Sequence, residues 1–362
     1  MIQALMFFGG LVLLVAGADL LVRGASRLAI SFGISPLVVG LTVVAFGTSA
    51  PELAVSTGAV LSGTSDLALG NAVGSNIFNV LFVLGLSALV APLTVQRQVI
   101  RQDVPLMIAS ALLLALLCLD GSIGLFDSVL LCSSLIGYTA FVVRQSRRAG
   151  TAAAANETNA AVVGGWLASR WMQALAVALG LALLVAGSDA MVGAAVHFAR
   201  ALGVSDVVIG LTVVAAGTSL PEVATSIRAV LKGETDMAVG NVVGSCLFNI
   251  LGVVGVAGLA AATTAAAALV VPASVLRFDL WVMVAALFAC LPVFITGKRI
   301  ARWEGALLLA YYAAYTAYLV LQSSHHDALP VYSFVMLAFV LPLTAMTLAV
   351  TIFSRPARRL AR

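Results

Sequence analysis

The sequence of 362 residues is poor in charge, cysteine and histidine. Only 9% of its residues are charged, whereas 62% are hydrophobic; a soluble domain carries about 25% charged and about 45–50% apolar residues. A water-soluble globule would therefore lack the polar side chains needed to cover its surface. Intrinsic disorder is excluded as well, because it requires few apolar residues and much charge. A polytopic membrane protein remains, and its length allows on the order of 10–12 helical spans.

The scarcity of cysteine and histidine narrows the chemistry further. The four cysteines lie in apolar runs without a CxxC pair, which predicts buried thiols and neither a disulfide nor a thiolate metal site. The net charge of +4 does not indicate a nucleic-acid partner, because Lys and Arg of a membrane protein report loop orientation. We expect no resident cofactor. The apolar N-terminus has no basic region before it and predicts a retained first helix rather than a signal peptide.

An internal repeat organises the chain. Residues 40–85 and 210–255 align without gaps at an offset of 170, with 29 identities in 46 positions, and both copies contain GTSxPE and GNxVGSxxFN. Shared hydrophobicity does not produce such strings, so the chain is a duplication of one unit. We predict a first five-helix repeat over 1–143, a cytoplasmic linker over 144–170, a second five-helix repeat over 171–322, and an extra transmembrane helix over 330–354.

Five spans per half is an odd number, so the second half must enter the membrane from the opposite side. The predicted fold is therefore an all-α polytopic membrane protein with an inverted-topology 5+5 repeat, an architecture common among secondary transporters. With the N-terminus outside, 17 of the 19 Lys and Arg residues fall in inside loops, and only Arg200 and Arg277 fall outside. This asymmetry favours an N-out, C-in orientation in the cytoplasmic membrane.

Two glutamates, Glu52 and Glu222, lie well inside predicted spans. An ionised carboxylate at the bilayer centre costs about 2.5–3.5 kcal/mol on insertion scales, so such residues mark functional sites. A proline directly precedes each glutamate and predicts a break in the helix that frees backbone carbonyls, including those of Ala45 and Ala215. Hydroxyl side chains share the helix face of each glutamate: Thr48, Ser49, Thr218 and Ser219.

The following span of each repeat carries a polar stripe at i, i+4 and i+8. The stripes are Asn71, Ser75 and Asn79 in the first repeat, and Asn241, Ser245 and Asn249 in the second. Amides and hydroxyls inside membranes often only hold helices together. Two matching stripes beside two buried glutamates favour a ligand-binding role instead.

The expected ligands are hard oxygen atoms, and they point to a hard cation. Calcium takes 6–8 oxygens from carboxylates, carbonyls and hydroxyls. The two spans with the glutamates and the two spans with the polar stripes contain no histidine and no cysteine except Cys246. This composition argues against zinc or copper. Two carboxylates neutralise one divalent ion, and the same oxygens could hold sodium in its place.

The duplicated motifs GTSAPE with GNAVGSNIFN, and GTSLPE with GNVVGSCLFN, resemble the alpha-repeats of prokaryotic sodium/calcium exchangers in the cation/calcium antiporter superfamily. The resemblance covers roughly residues 5–320. It implies exchange of calcium for sodium by alternating access between ten core helices. The ligands that it implies are Glu52, Thr48, Ser49, Ser75, Asn79, Glu222, Thr218, Ser219 and Ser245, with the carbonyls of Ala45 and Ala215.

One position varies within this family. The residue at Asn249 is Asp in some members, including potassium-dependent ones, so asparagine in both repeats predicts transport without potassium. Asn249 completes the candidate metal-site set. The expected partners are calcium ions, sodium ions and membrane lipid, with no nucleic acid.

Other functions stay open at this point. Proton-coupled exchange of calcium or another cation, a cation channel, and an intramembrane hydrolase using the glutamate pair are the alternatives. No GxSxG motif and no intramembrane histidine support the hydrolase. Asp103 and Asp279 are interpreted as helix N-caps, and Asp19 and Asp189 as interfacial or helix-packing residues.

Overall fold

The computed structural model describes residues 2–154, 169–201, 215–264, 267–295, 297–324 and 326–353. Within these ranges nine helices are long and apolar enough to cross a membrane, and one bent pair of shorter helices adds a tenth span. Hydropathy predicts a further span near 206–230, in the second repeat, and its first part lies outside the described residues. The observed helices confirm an all-α polytopic membrane protein.

Thirteen helices can be followed through the described residues. Those of the first repeat are α1 (Ile2–Phe32), α2 (Pro36–Thr48), α3 (Ala50–Leu61), α4 (Asp66–Val90), α5 (Val99–Asp120) and α6 (Leu125–Ala154). Those of the second are α7 (Arg170–Ala201), α8 (Ala215–Thr218), α9 (Leu220–Leu231), α10 (Thr235–Ala261), α11 (Val275–Ile295) and α12 (Arg302–Ser323), and α13 follows over 329–353.

Two helices are longer than their hydropathy predicts. The sequence places the end of the first span near residue 22, yet α1 continues to Phe32. Likewise α6 continues past residue 143 into the predicted linker and ends at Ala154. The backbone hydrogen bonds of a helix are made within the helix itself. A helix can therefore continue past the apolar segment that crosses the membrane, and hydropathy alone does not mark its end.

Helices α1 and α7 pack against each other through glycines. A Cβ added at Gly10 would come within 2.6 Å of the carbonyl oxygen of Gly187, and one at Gly17 within 2.8 Å of that of Gly180. Gly10 and Gly17 correspond to Gly180 and Gly187 in the repeat, so each contact recurs with the roles exchanged. Reciprocal contacts of this kind identify a two-fold relation between the halves.

Two short antiparallel ladders connect the repeats. Strand β1 (Leu93–Thr94) pairs with β4 (Arg299–Ile300), and β2 (Ser122–Ile123) pairs with β3 (Leu269–Val270). The sequence places the loops of β1 and β4 on the inner face and those of β2 and β3 on the outer face. Loops on opposite faces could not pair, so the ladders agree with the predicted alternation of sides.

The helices that carry the polar stripes lie at the centre of the molecule. In α10, 89% of the most apolar segment is buried, and in α4 the share is 72%, against 17% in α12. The core therefore surrounds α4 and α10, while α12 and α13 form the periphery. This arrangement shields the polar side chains of both stripes from lipid.

The interpretation of Asp103 and Asp279 as helix N-caps is wrong. Helices α5 and α11 begin four residues earlier, in π-helical turns, and Asp103 makes no capping hydrogen bond. Instead, the Tyr138 hydroxyl donates to Asp103 Oδ1 at 3.2 Å and the Tyr315 hydroxyl donates to Asp279 Oδ1 at 2.8 Å. The two pairs join α5 to α6 and α11 to α12 in the same way.

Candidate cation site

Each of the two membrane-embedded glutamates follows a break in its helix. The chain bends by 41° between α2 and α3, and Ser49 and Ser219 leave helical geometry with ψ of 9° and 10°. Proline two residues later has no N–H to continue the helix. The breaks place Glu52 and Glu222 in the first turns of α3 and α9, where the helix dipole favours a negative charge.

The two repeats exchange hydrogen bonds at this point. The Ser49 hydroxyl donates to Glu222 Oε1 at 2.8 Å, and the Ser219 hydroxyl donates to Glu52 Oε1 at 2.9 Å. Both glutamates are completely buried. Hydrogen bonds to a carboxylate are about twice as strong as neutral ones, so each acidic side chain is held by the opposite repeat.

The polar stripes of α4 and α10 bring further hydroxyls to the carboxylates. Ser219 Oγ lies 3.4 Å from Ser75 Oγ, and the Ser245 hydroxyl donates to Glu222 Oε1 at 3.4 Å. Thr48 Oγ1 lies 3.5 Å from Ser245 Oγ. Helices α2 and α3, the α8–α9 pair, α4 and α10 therefore each contribute oxygen atoms to one buried cluster.

Four oxygens of the predicted ligand residues have no hydrogen-bond partner among the described residues. They are Oε2 of Glu52, Oε2 of Glu222, Oδ1 of Asn79 and Oδ1 of Asn249, and all four side chains are completely buried. A buried acceptor left unsatisfied costs about 1–3 kcal/mol, and a charged one costs more. Two carboxylate and two amide oxygens of this kind are chemically suited to a hard cation.

The backbone is irregular at both asparagines. A π-helical turn begins at Asn79 and covers Asn79–Leu84, and a second covers Phe248–Val253 and includes Asn249. Such turns occur frequently at functional sites. Irregular backbone at membrane depth is tolerated where it is buried in protein or lines a cavity, and nearly all residues of both turns are buried.

The predicted carbonyl ligand Ala45 is partly engaged. Its oxygen accepts the N–H of Ser49 at 3.0 Å and the Thr48 hydroxyl at 3.4 Å. A carbonyl has two lone pairs, so a cation would have to displace the weaker hydroxyl bond. In the second repeat, Ala215 corresponds to Ala45 and Thr218 to Thr48. Thr218 is half-buried, and the contacts of Ala215, the first residue of α8, lie outside what the structure describes.

Two asparagines of the stripes point to serines that the sequence analysis missed. Asn71 Nδ2 donates to Ser56 Oγ at 3.0 Å, and Asn241 Nδ2 donates to Ser226 Oγ at 3.0 Å. These pairs join α3 to α4 and α9 to α10 and so position the adjacent carboxylates. The serines could have been found, because each lies four residues after its glutamate and recurs in both repeats.

The charge of the cluster comes from two carboxylates. Across the described part of the chain, no group of three or more His, Cys, Asp or Glu side chains could hold a metal ion. The remaining oxygens at the cluster belong to hydroxyls, amides and backbone. Zinc and copper prefer imidazole and thiolate, whereas calcium prefers oxygen ligands of this kind.

Comparison with known proteins agrees with this arrangement. The family model described as sodium/calcium exchanger protein matches residues 2–144 and 172–321. The putative antiporter CaxA of Alkalimonas amylolytica is 41% identical over 313 residues, which cover 84% of this chain and 95% of CaxA. The sodium/calcium exchanger MaX1 of Methanosarcina acetivorans is 31% identical and covers 84% of this chain and 95% of its own length.

A solved structure has the same fold. The sodium-calcium exchanger NCX_Mj, soaked with 2.5 mM Na⁺ and 0.1 mM Ca²⁺, matches 88% of this chain and 98% of its own with a TM-score of 0.74 and 31% sequence identity. These similar proteins are transporters rather than enzymes, so the intramembrane hydrolase is excluded. The motifs, the two-fold arrangement and these matches lead to one conclusion: the chain is a multi-pass membrane protein that belongs to the sodium/calcium exchanger family.

Proposed function

We propose that this chain is a secondary active antiporter that exchanges Ca²⁺ for Na⁺ across the cytoplasmic membrane by alternating access. MaX1 and NCX_Mj are named as sodium/calcium exchangers. The inner membrane protein YrbG of Escherichia coli is 42% identical over 258 residues, which cover 69% of this chain and 77% of YrbG. Its name supports the cytoplasmic membrane as the location.

The observation that carries the proposal is the set of four buried oxygens without hydrogen-bond partners on Glu52, Glu222, Asn79 and Asn249. Two carboxylates balance the charge of one Ca²⁺, which removes the cost of an uncompensated charge in a low-dielectric region. The full proposed ligand set adds neutral oxygens from Thr48, Ser49, Ser75, Thr218, Ser219, Ser245, and the carbonyls of Ala45 and Ala215.

Coupling follows from shared ligands. Sodium ions use the same oxygen atoms as calcium, so the two cannot occupy these positions together. A site without any cation would leave two uncompensated carboxylates at the membrane centre, which costs several kcal/mol per charge. The protein therefore switches the site from one membrane face to the other only when Ca²⁺ or Na⁺ occupies it. This condition couples the calcium flux to the sodium flux.

The direct test is ⁴⁵Ca²⁺ uptake into proteoliposomes under imposed gradients of Na⁺, K⁺ or H⁺. We expect uptake when Na⁺ is inside and absent outside, and none when K⁺ or H⁺ replaces Na⁺. Uptake driven by a proton gradient alone would make the protein a proton-coupled exchanger. Calcium movement down its own gradient without any counter-ion would indicate a channel.

The orientation and the boundaries also belong to the proposal. We propose that residues 144–170 form a cytoplasmic linker between the two repeats over 1–143 and 171–322. Single cysteines introduced by Asp120→Cys and Arg148→Cys, in a chain without its native cysteines, should be labelled by an impermeant maleimide from outside and inside, respectively. Labelling of both from outside would contradict the odd number of spans per repeat.

A further inference from the structure

A large apolar cavity lies between the second repeat and α13. It has a volume of about 680 Å³ and is lined by α11, α12 and α13, together with Leu81 of α4. Its lining on α11 runs from Arg277 to Val293, a rise of about 24 Å at 1.5 Å per residue. The cavity therefore extends along most of the hydrocarbon core, which is about 30 Å thick.

Helix α13 is attached to the second repeat at few points. The Tyr311 hydroxyl donates to Thr344 Oγ1 at 2.6 Å, and the Tyr332 hydroxyl donates to the carbonyl of Ala314 at 2.6 Å. None of the most apolar segment of α13 is buried. The family match ends at residue 321, so α13 and the cavity beneath it are additions to the family core.

An apolar cavity of this size requires an apolar occupant. Water fills cavities that offer it two to four polar partners, and an empty cavity forfeits the dispersion contacts of its lining. In α11 the lining includes Ala285 and Ala289, which leave room beside the helix. Within a bilayer, the available molecule of matching polarity and length is a lipid acyl chain.

The outer end of the cavity carries one cation. Arg277 lines this end, is exposed, and forms no ion pair with any residue in the described ranges. Trp281 and Tyr318 line the same end, and Phe278 stacks on Tyr318 with 4.1 Å between ring centroids. Trp and Tyr favour the level of the lipid headgroups, where an Arg side chain binds phosphate.

We propose that a phospholipid occupies this cavity, with its phosphate on Arg277 and an acyl chain between α11 and α13. The first repeat supplies matched controls, because Asp103 corresponds to Asp279. By the same offset Arg101 corresponds to Arg277, and Ala109 to Ala285. Both control residues are exposed, and neither lines the cavity beneath α13.

The first arm of the test fills the cavity. The full-length chain, purified in detergent and supplied with phosphatidylglycerol, should retain about one phospholipid per chain in native mass spectrometry. Ala285→Trp should lower this retention at least fivefold, whereas Ala109→Trp should leave it unchanged. Ala285→Leu, a smaller change, should lower it to an intermediate level and covers the case in which the tryptophan variant does not fold.

The second arm tests the phosphate. The wild type should retain phosphatidylglycerol several-fold better than diacylglycerol with the same acyl chains, and Arg277→Gln should remove this preference while Arg101→Gln keeps it. Equal lipid retention by the Ala285 and Ala109 variants would overturn the proposal. A wild-type dimer that Ala285→Trp dissociates would overturn it too, because a second copy of the chain would then cover the cavity.

Discussion

The two repeats have nearly the same polar residues, yet these residues lie in different environments. Thr48 is 1% exposed and its counterpart Thr218 is half-buried, whereas Asn71 is half-buried and its counterpart Asn241 is 0% exposed. Asn71 lies in the half of α4 that the predicted orientation places outside. A symmetric sequence therefore adopts one asymmetric conformation, and exchanging the two environments would give the conformation in which the two repeats have swapped roles.

A second difference between the repeats, in the ion pairs of Asp19 and Asp189, follows from their sequences. Asp19 accepts from Arg23 Nε at 2.8 Å and from Lys232 Nζ at 2.7 Å, and it also pairs with Arg228. Its counterpart Asp189 is exposed and forms no ion pair with any described residue, because glycine or serine occupies the positions equivalent to the three cations. Among the described residues, ion pairs therefore join α1 to the C-terminal end of α9, and no equivalent pairs join α7 to α3.

The largest expected effect tests whether the repeats contribute equally to the site. Glu52→Gln and Glu222→Gln each keep the shape of the side chain but leave one charge of Ca²⁺ uncompensated, which costs several kcal/mol. Each tenfold change in affinity corresponds to about 1.4 kcal/mol, so sodium-driven ⁴⁵Ca²⁺ flux should fall more than about 100-fold in both variants. Thermal stability should hold or rise, because a neutral side chain is cheaper to bury.

Asp103→Asn is the control for these variants. Asp103 is buried and accepts a hydrogen bond from Tyr138, but it lies outside the site, and asparagine retains an acceptor oxygen. More than half of the flux should remain. Near-normal flux in either glutamate variant, at equal protein in the membrane, would falsify the proposed ion site; loss in only one would show that the repeats are unequal.

The second prediction sharpens the difference between the asparagines. Asn241→Ala leaves the buried hydroxyl of Ser226 without its donor, at a cost of about 1–3 kcal/mol. At the half-buried Asn71, water replaces the lost partner, and alanine should cost about 1 kcal/mol or less. Thermal unfolding in detergent measures both, and equal losses in the two variants would argue against the asymmetric conformation.

The third prediction concerns the charged cluster at Asp19. Asp19→Asn should lower the unfolding temperature by a few degrees, since partly exposed ion pairs contribute about 0.2–1 kcal/mol each, and Asp189→Asn should not change it. The effect should shrink at 1 M salt, where the Debye length is about 3 Å. A loss that is independent of salt would show that Asp19 acts through packing instead of charge.

The smallest expected effect is that of removing external potassium, which should leave calcium flux unchanged. Asparagine occupies both position 79 and position 249, so the repeats are matched here, and replacing external potassium with choline should leave sodium-driven calcium flux unchanged. Asn249→Asp adds a third carboxylate and breaks the match; it should make flux sensitive to potassium or pH. Loss of wild-type flux in choline would contradict the argument from Asn249.

The sequence predicted the features that depend on composition and repetition. The duplication, most spans and the positions of Glu52 and Glu222 follow from hydropathy and motif spacing. The exchange of hydrogen bonds between Ser49 and Glu222 did not, because it depends on how the two broken helices meet in space. The tyrosine partners of Asp103 and Asp279 were missed for the same reason, since contacts across 35 and 36 residues leave no local periodicity.

The reciprocal serine–glutamate bonds also constrain how the protein is made. Ser219 lies 167 residues after Glu52, and Glu222 lies 173 residues after Ser49. While a ribosome has delivered only the first repeat, the Glu52 carboxylate has no hydroxyl from Ser219, so the central contact cannot form before residue 222 has entered the membrane. A chain truncated after residue 154 should therefore be unstable and become a substrate for membrane proteases, because an incompletely folded chain is removed by proteolysis.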